Sequence, residues 1–213
     1  HAWVGDHVMS FLQKKCMRDL TWRGEQKTGA LSWTMDYSGN VFLVGPMGVG
    51  KTTIGRTLAD RMNLDFFDSD QEIEAATGAD IPWIFDVEGE RGFRQREVKM
   101  IDQLSQQKNI VLATGGGAIL VEINRKRLKK RGLVVYLRAS IKQQVERTAR
   151  DRHRPLLQTG NPKQIIKELF VAREPLYFQV ADLVIDTNRR NLRSVSNEII
   201  KQIRTHQRSS SPK

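Results

Sequence analysis

The chain has 213 residues, 39% hydrophobic and 28% charged, which is enough for one sizeable core. It holds no run of about 18 apolar residues, so no membrane-spanning helix is expected. Lys and Arg total 35 against 24 Asp and Glu, a formal charge of +11 that invites nucleic acid; yet no aromatic platform interleaves the basic clusters and no zinc-finger spacing occurs, so the cations point to anionic small ligands.

The lone Cys16 excludes an internal disulfide and suits a reducing compartment, the cytoplasm. Residues 1–35 mix Trp3, Trp22 and Trp33 with scattered charges and hold no sustained period. The apolar run at 8–12 is too short for a secretory signal and meets Lys14-Lys15, while Asp6, Asp19 and Glu25 interrupt any transit peptide. A poorly structured or non-native extension is expected here, with Met35 as the native start and a folded domain over 36–204.

Residues 40–44 (N-V-F-L-V) form a short β-branched run that reads as a buried strand. G-P-M-G-V-G-K-T follows at 45–52, and then Ile54, Leu58, Met62 and Leu64 recur at helical spacing. Phe66-Phe67 lead a second strand to Asp68, and a helix through 71–76 stops at Gly78. Asp80 caps the next helix, with Pro82 in its first turn. Gly89 and Gly92 bracket a turn, and Phe93, Val98, Ile101 and Leu104 share one side of a further helix. The third strand, 110–114, runs into Gly115-Gly116-Gly117.

A basic helix at 125–131, a fourth strand at 133–137 and a helix at 141–150 come next, then a polar, arginine-bearing loop. Asn161-Pro162 start a helix running to Tyr177, and 183–186 is the fifth strand. Leu192, Val195, Ile199 and Ile203 share one face of the last helix, before a flexible basic tail at 205–213. Five apolar strands separated by helices predict an α/β fold: a five-stranded parallel sheet with helices on both faces, its ligands at the carboxyl ends of the strands.

Strand, glycine loop and helix in that order give G-x-x-x-x-G-K-T its mechanism. Glycines let backbone N–H groups converge on phosphate oxygens, and the helix N-terminus adds partial positive charge. Lys51 reaches the β- and γ-phosphates, and Thr52 offers its hydroxyl to Mg2+. The second strand ends in Asp68-Ser69-Asp70. A turn into a helix splays these carboxylates, one toward the phosphate loop and one outward. Phosphoryl transfer needs one to help hold Mg2+ and another to orient or deprotonate the acceptor hydroxyl; helix capping is the other use of either aspartate. The 110–114 strand ends in threonine and glycines where a usual Walker B strand ends in aspartate, which leaves Asp68 as the magnesium candidate. Three glycines there allow close backbone approach to a ligand, or a tight turn.

Six motifs in order carry a family resemblance: G-P-M-G-V-G-K-T-T-I-G, F-D-S-D-Q-E-I-E, G-F-R at 92–94, A-T-G-G-G-A, R-P-L-L at 154–157 and R-E-P-L-Y at 173–177. Over residues 40–203 the chain resembles the shikimate kinases. The resemblance implies a nucleoside-monophosphate-kinase-like P-loop fold with a mobile lid at 151–162. It also implies phosphorylation of the shikimate 3-hydroxyl by ATP with Mg2+, in the route to chorismate and the aromatic amino acids.

Position by position, the resemblance places ATP on Gly48, Val49, Gly50, Lys51, Thr52 and Thr53, with Arg147 and the Asn188-Arg189-Arg190 turn bordering adenine. Thr52 would ligate Mg2+ and Asp68 would support it through water. Asp70 would hydrogen-bond the shikimate hydroxyls as base or orienting group, and Arg94 and Arg173 would pair with the carboxylate. Gly115, Gly116 and Gly117 would line the pocket through their N–H groups. Arg154, on the lid, would act on phosphate and substrate and complete a catalytic set with Lys51 and Asp70. The implied partners are shikimate and ATP, with no nucleic acid and no membrane, and the family is generally monomeric.

Two guanidinium forks fit a carboxylate bidentately, which suits a small hydroxylated acid. Phe85 and Phe93 offer either an apolar wall or core packing. Two departures stand out: the stretch before Met35, and Leu192 where a proline often borders adenine. The alternatives are a gluconate-kinase-like enzyme and a catalytically inactive nucleotide-binding relative. Asp70, Arg94, Gly115–Gly117 and Arg173 together suit a cyclic hydroxy acid better than gluconate, and none of the catalytic residues is lost.

Overall fold

The structure is a computed structural model that describes residues 37–149 and 161–210, all within the unit spanning 34–213. The expected extension at 1–35, with Cys16 and Met35, lies outside the described residues, as does the expected lid up to residue 160, with Arg154.

Strands β1 (Val41–Val44), β2 (Asp65–Asp68), β3 (Ile110–Ala113), β4 (Leu133–Arg138) and β5 (Leu183–Asp186) form one parallel sheet in the order β2-β3-β1-β4-β5. Central β1 is apolar at every position because both its faces are covered. Its alternating side chains serve two cores. Val41 and Leu43 pack with helices α1 (Lys51–Met62) and α7 (Leu192–Ser210). Phe42 and Val44 pack with α3 (Ile81–Ser105), α4 (Glu122–Arg131) and α6 (Pro162–Val180). Each large side chain fully buried in these cores contributes roughly 1.5–3 kcal/mol. Helix α2 (Ser69–Thr77) sets Ile73 against Ile84 and Phe93 of α3 in a third cluster. Helix α5 (Ile141–Thr148) follows β4.

The chain leaves β1 through α1 on one face and leaves its neighbour β3 through α4 on the other. Connections that part to opposite faces open a crevice at the carboxyl ends of the two strands, the place where such sheets bind ligands. Side chains of Asp68, Asp80, Ser140 and Asn161 cap α2, α3, α5 and α6, each worth about 1 kcal/mol. Helix α1 instead starts from Gly50, with no side-chain cap and no acid in its first turn. Gly55, in the middle of α1, faces the Phe66 ring of β2 so closely that a Cβ would fall on the ring.

The structure departs from the sequence expectations in four places. Helix α3 is broken at Gly89 alone (φ 68°, ψ 178°), and Gly92 is helical; a Cβ at 92 would strike the Glu88 side chain, so that glycine serves close packing rather than a turn. The buried stripe of α3 is Phe93, Glu97, Ile101 and Leu104, with Val98 only half-buried. Helix α6 continues to Val180, which is buried. Helix α7 continues through Ser210, into the segment expected as a tail. No helix among the described residues is long and apolar enough to cross a membrane.

Candidate active site

The phosphate loop joins β1 to α1. A Cβ at Gly45 (φ 147°) would strike the Leu137 carbonyl, and one at Gly48 (φ 71°) would lie 2.9 Å from Thr148 Cγ2, so both turns exclude side chains. Lys51 Nζ donates to the Gly45 and Pro46 carbonyls at 2.8 Å each, which folds the ammonium over the loop. Val49 is buried in the core, and Thr53 sits in the first turn of α1. The uncapped start of α1 leaves its first amides to an anion.

Thr52 Oγ1 donates to Asp68 Oδ2 at 2.7 Å, while Asp68 Oδ1 accepts from the Asp70 amide at 3.1 Å. Asp68 thus caps α2 and faces the phosphate loop at once. Mg2+ prefers one or two protein oxygens completed by phosphate oxygens and water. The hydroxyl–carboxylate pair supplies two hard oxygens beside the loop, so the residues present fit that ion.

Arg147, in the last turn of α5, donates to the Gly48 and Val49 carbonyls at 3.3 Å each and to the Thr187 carbonyl at 3.4 Å. It stands beside the phosphate loop. Arg190 is turned to the start of α7, where its Nε and Nη2 donate to Ser194 Oγ at 3.2 and 3.1 Å. Leu192 opens α7 and is 39% exposed.

Across the crevice, β3 ends at the three glycines. The Gly115 amide donates to the buried Ser69 Oγ at 2.9 Å, tying the β3 loop to the start of α2. A Cβ at 115 would lie 2.7 Å from both Asp70 Oδ1 and Glu97 Oε1. Only glycine lets those two carboxylates close on the loop. Asp70 therefore turns to the glycine loop rather than outward, while Asp68 turns to the phosphate loop as the helix start predicts.

Arg94 reaches the same place from α3. Its Nη1 donates to Glu97 Oε2 at 2.8 Å and its Nη2 to Glu90 Oε1 at 3.0 Å. Its guanidinium lies against Gly117, where a Cβ would collide with it. Arg173, on α6, is buried, and its Nη1 lies 3.8 Å from a Cβ placed on Gly116. None of the salt bridges among the described residues reaches Arg173. Burial holds its guanidinium below the usual arginine range, and Arg94 nearby adds to the effect. Burial opposes the charge of Arg94 as well, but Glu97 and Glu90 hold it above its usual value.

Glu97 is a residue of the candidate site that sequence reasoning missed. Its side chain is 0% exposed, and Oε1 has no hydrogen-bond partner among the described residues. Burial raises its pKa against the pull of Arg94. The available signal was its place, four residues from Phe93 and four from Ile101, on the apolar stripe of a helix. Arg94 is neutralised by Glu97 and Glu90, whereas Arg173 has no salt bridge among the described residues, so its desolvated guanidinium is the group that suits an anionic carboxylate. Phe85 and Phe93 meet with ring centroids 4.8 Å apart; Phe93 is buried in the third cluster, and the Arg94 guanidinium lies 5.2 Å from its ring centroid. Core packing is therefore the use of Phe93.

A family model described as shikimate kinase matches residues 47–204. The chain belongs to the shikimate kinase family. A shikimate kinase of Alteromonas mediterranea is 58% identical over 164 residues, which cover 77% of this chain and 96% of that protein. One from Chromohalobacter salexigens is 59% identical over 162 residues, 76% of this chain and 90% of that protein. Among solved structures, a shikimate kinase from Acinetobacter baumannii in complex with shikimate is 50% identical, with a TM-score of 0.78, over 80% of this chain and 96% of that one. A gluconokinase from Sinorhizobium meliloti 1021, 15% identical with a TM-score of 0.54, shares the fold alone.

Membership in the shikimate kinase family makes this chain a phosphotransferase that uses ATP. Two groups of residues border the crevice: Lys51, Thr52, Asp68 and Arg147 beside the phosphate loop, and Asp70, Arg94 and Arg173 beside the three glycines.

Proposed function

We propose that the crevice transfers the γ-phosphoryl group of ATP to the 3-hydroxyl of shikimate, giving shikimate 3-phosphate and ADP. The observation that carries the reading is the pairing of buried Arg173 and partly buried Arg94 with an uncapped phosphate-loop helix at one topological switch point. Arg94 and Arg173 grip the carboxylate of shikimate, which fixes the ring. Asp70 accepts the hydrogen bond of the attacking hydroxyl and takes its proton as the oxygen bonds to phosphorus. The bond from phosphorus to the β,γ-bridging oxygen breaks, and ADP leaves with that electron pair.

Lys51 turns from its loop carbonyls to the transferring phosphate, a move that costs two hydrogen bonds and gains a charged partner. The amides of residues 48–53 cradle the phosphates. Arg147 borders the base, with Arg190 on the same side. Arg154, outside the described residues, adds charge from the lid. Thr52 and Asp68 would hold Mg2+, which when bound neutralises charge on the β- and γ-phosphate oxygens. We extend the reading to a monomer acting in the cytoplasm, on the family resemblance and the single cysteine; a sedimentation mass well above 24.4 kDa counts against the first part.

A coupled assay of ADP release with Mg2+ tests the activity, comparing shikimate, gluconate and no acceptor. Release that depends on shikimate alone is expected. Release with gluconate, or with no acceptor, withdraws the roles given to Arg94 and Arg173.

A further inference from the structure

The three glycines carry six backbone hydrogen-bonding groups, and four are already spent. The Gly115 amide goes to Ser69 Oγ, and the Gly115 carbonyl accepts from the Ala118 amide at 3.2 Å. The Gly117 carbonyl accepts from the Leu120 amide at 3.0 Å. The Gly116 carbonyl accepts from the Tyr177 hydroxyl at 2.6 Å. What remains is two donors, the amides of Gly116 and Gly117, without a hydrogen-bond partner among the described residues. Buried amides are almost always paired, and Gly117 is buried, so its amide, next to that of half-buried Gly116, is a donor left for a ligand.

Three of the four spent groups are bound within the loop's own turn or by the neighbouring helix start. The fourth depends on one side chain from a distant helix. The peptide between Gly116 and Gly117 is planar, with its carbonyl and its N–H on opposite sides. Whatever holds the Gly116 carbonyl toward α6 therefore aims the Gly117 N–H away from α6. Glycine has no Cβ to restrict that plane, so without an anchor it rocks.

We propose that Tyr177 is a positioning residue for the transfer: its hydroxyl, by holding the Gly116 carbonyl, locks the Gly116–Gly117 peptide so that the Gly117 amide meets the bound acid. This rests on the proposed reading of the crevice as a shikimate site. Tyr177 suits the task. It is buried, its ring stacks on Tyr136 with centroids 4.9 Å apart, and it lies one helical turn after Arg173, so one face of α6 sets both the guanidinium and the peptide. The hydroxyl stays protonated at any working pH, because burial pushes its pKa far above the usual tyrosine value.

Tyr177→Phe keeps the ring and its stack and removes the hydroxyl, which holds the Gly116 carbonyl and also borders Arg173; a shift of the Gly117 amide resonance in the variant without shikimate marks loss of the peptide anchor rather than of the arginine contact. The expected result is a rise of about tenfold in the KM for shikimate, the size of one oriented hydrogen bond, with the KM for ATP unchanged. Tyr136→Phe is the control: it removes a neighbouring buried hydroxyl that makes no bond to the glycines and should leave both constants alone. Unchanged constants in Tyr177→Phe overturn the proposal even if the variant melts earlier. So does an equal rise in Tyr136→Phe, which means general loosening.

The unaltered enzyme gives a second readout that does not depend on the variant folding. In its amide NMR spectrum, saturating shikimate should move the Gly117 resonance more than that of Gly115, which Ser69 already holds. A Gly117 amide that shikimate leaves in place overturns the assignment. Failure of the unaltered enzyme to release ADP with shikimate is a different failure: it removes the shikimate reading itself, and this proposal with it.

Discussion

Helix α3 carries two acids, five residues apart, each set between two arginines. Asp102 Oδ1 meets Arg127 Nε at 3.0 Å and Arg131 Nη1 at 2.7 Å. Glu97 meets Arg94 at 2.8 Å and feels the charge of Arg173. The charges are alike and the outcomes opposite. Asp102 is 32% exposed, and the hydrogen bond from Arg131 draws its pKa below the usual range. Glu97 is sealed, and burial raises its pKa in spite of its arginine.

The difference lies in what each cluster completes. Arg131 also donates to the Asp102 carbonyl and Ser105 Oγ, and Arg127 to the Val98 carbonyl, so the outer cluster staples α4 to α3 and leaves nothing over. The inner cluster leaves one carboxylate oxygen without a hydrogen bond and a guanidinium without a salt bridge among the described residues. Satisfied charge marks a structural joint, whereas unsatisfied buried charge marks a place where something else must bind.

The largest effect that separates the clusters is on stability. Glu97→Ala leaves two guanidiniums in a desolvated hollow and should cost about 3–5 kcal/mol in denaturant unfolding. Asp102→Ala, at a partly exposed joint, should cost about 1 kcal/mol. Equal losses would make the two clusters the same kind of object. Next in size is catalysis. Arg94→Ala should lower kcat/KM for shikimate by about a hundredfold, mainly through KM, since a desolvated ion pair with the substrate is lost. Arg131→Ala should leave both constants near the parent values, and a change confined to the KM for ATP in Arg94→Ala would break its carboxylate role.

The smallest effect is in pH. Glu97 has a raised folded pKa, so its contribution to stability is fully present below the ordinary carboxylate range and is lost as pH rises through the raised value. Asp102 has a lowered one, so its contribution is present above about pH 4 and is lost as pH falls through the lowered value. The stability gap between parent and Glu97→Gln should therefore shrink with rising pH, and that between parent and Asp102→Asn with falling pH. Two gaps that move together would refute the opposite shifts.

The sheet was legible because parallel strands covered on both faces leave unbroken apolar runs, as at 41–44 and 110–113. The phosphate loop was legible because glycines, Lys51 and Thr52 follow a strand at fixed spacing. Gly92 was misread because a glycine that makes room for Glu88 looks like a glycine that makes a turn. The extent of α7 was missed because apolar periodicity ends at Ile203 while backbone bonding does not. Glu97 was invisible because an acid in a helix reads as solvent-facing; only the arginines folded around it explain its burial. Asp70 was legible as the second carboxylate after the strand and Arg94 only through the family resemblance, and the contact of both with the glycine loop is a product of the fold.

Gly55 has a bearing on engineering this enzyme. Replacing a mid-helix glycine with alanine is a routine stabilising exchange, since it removes freedom from the unfolded chain. Here the added methyl would meet the Phe66 ring and wedge α1 away from β2. Those two elements carry Thr52 and Asp68, 2.7 Å apart. A substitution chosen to raise the melting temperature would thus widen the seat proposed for the ion, and on that reading the damage would show as a higher magnesium requirement in a protein that otherwise looks sound.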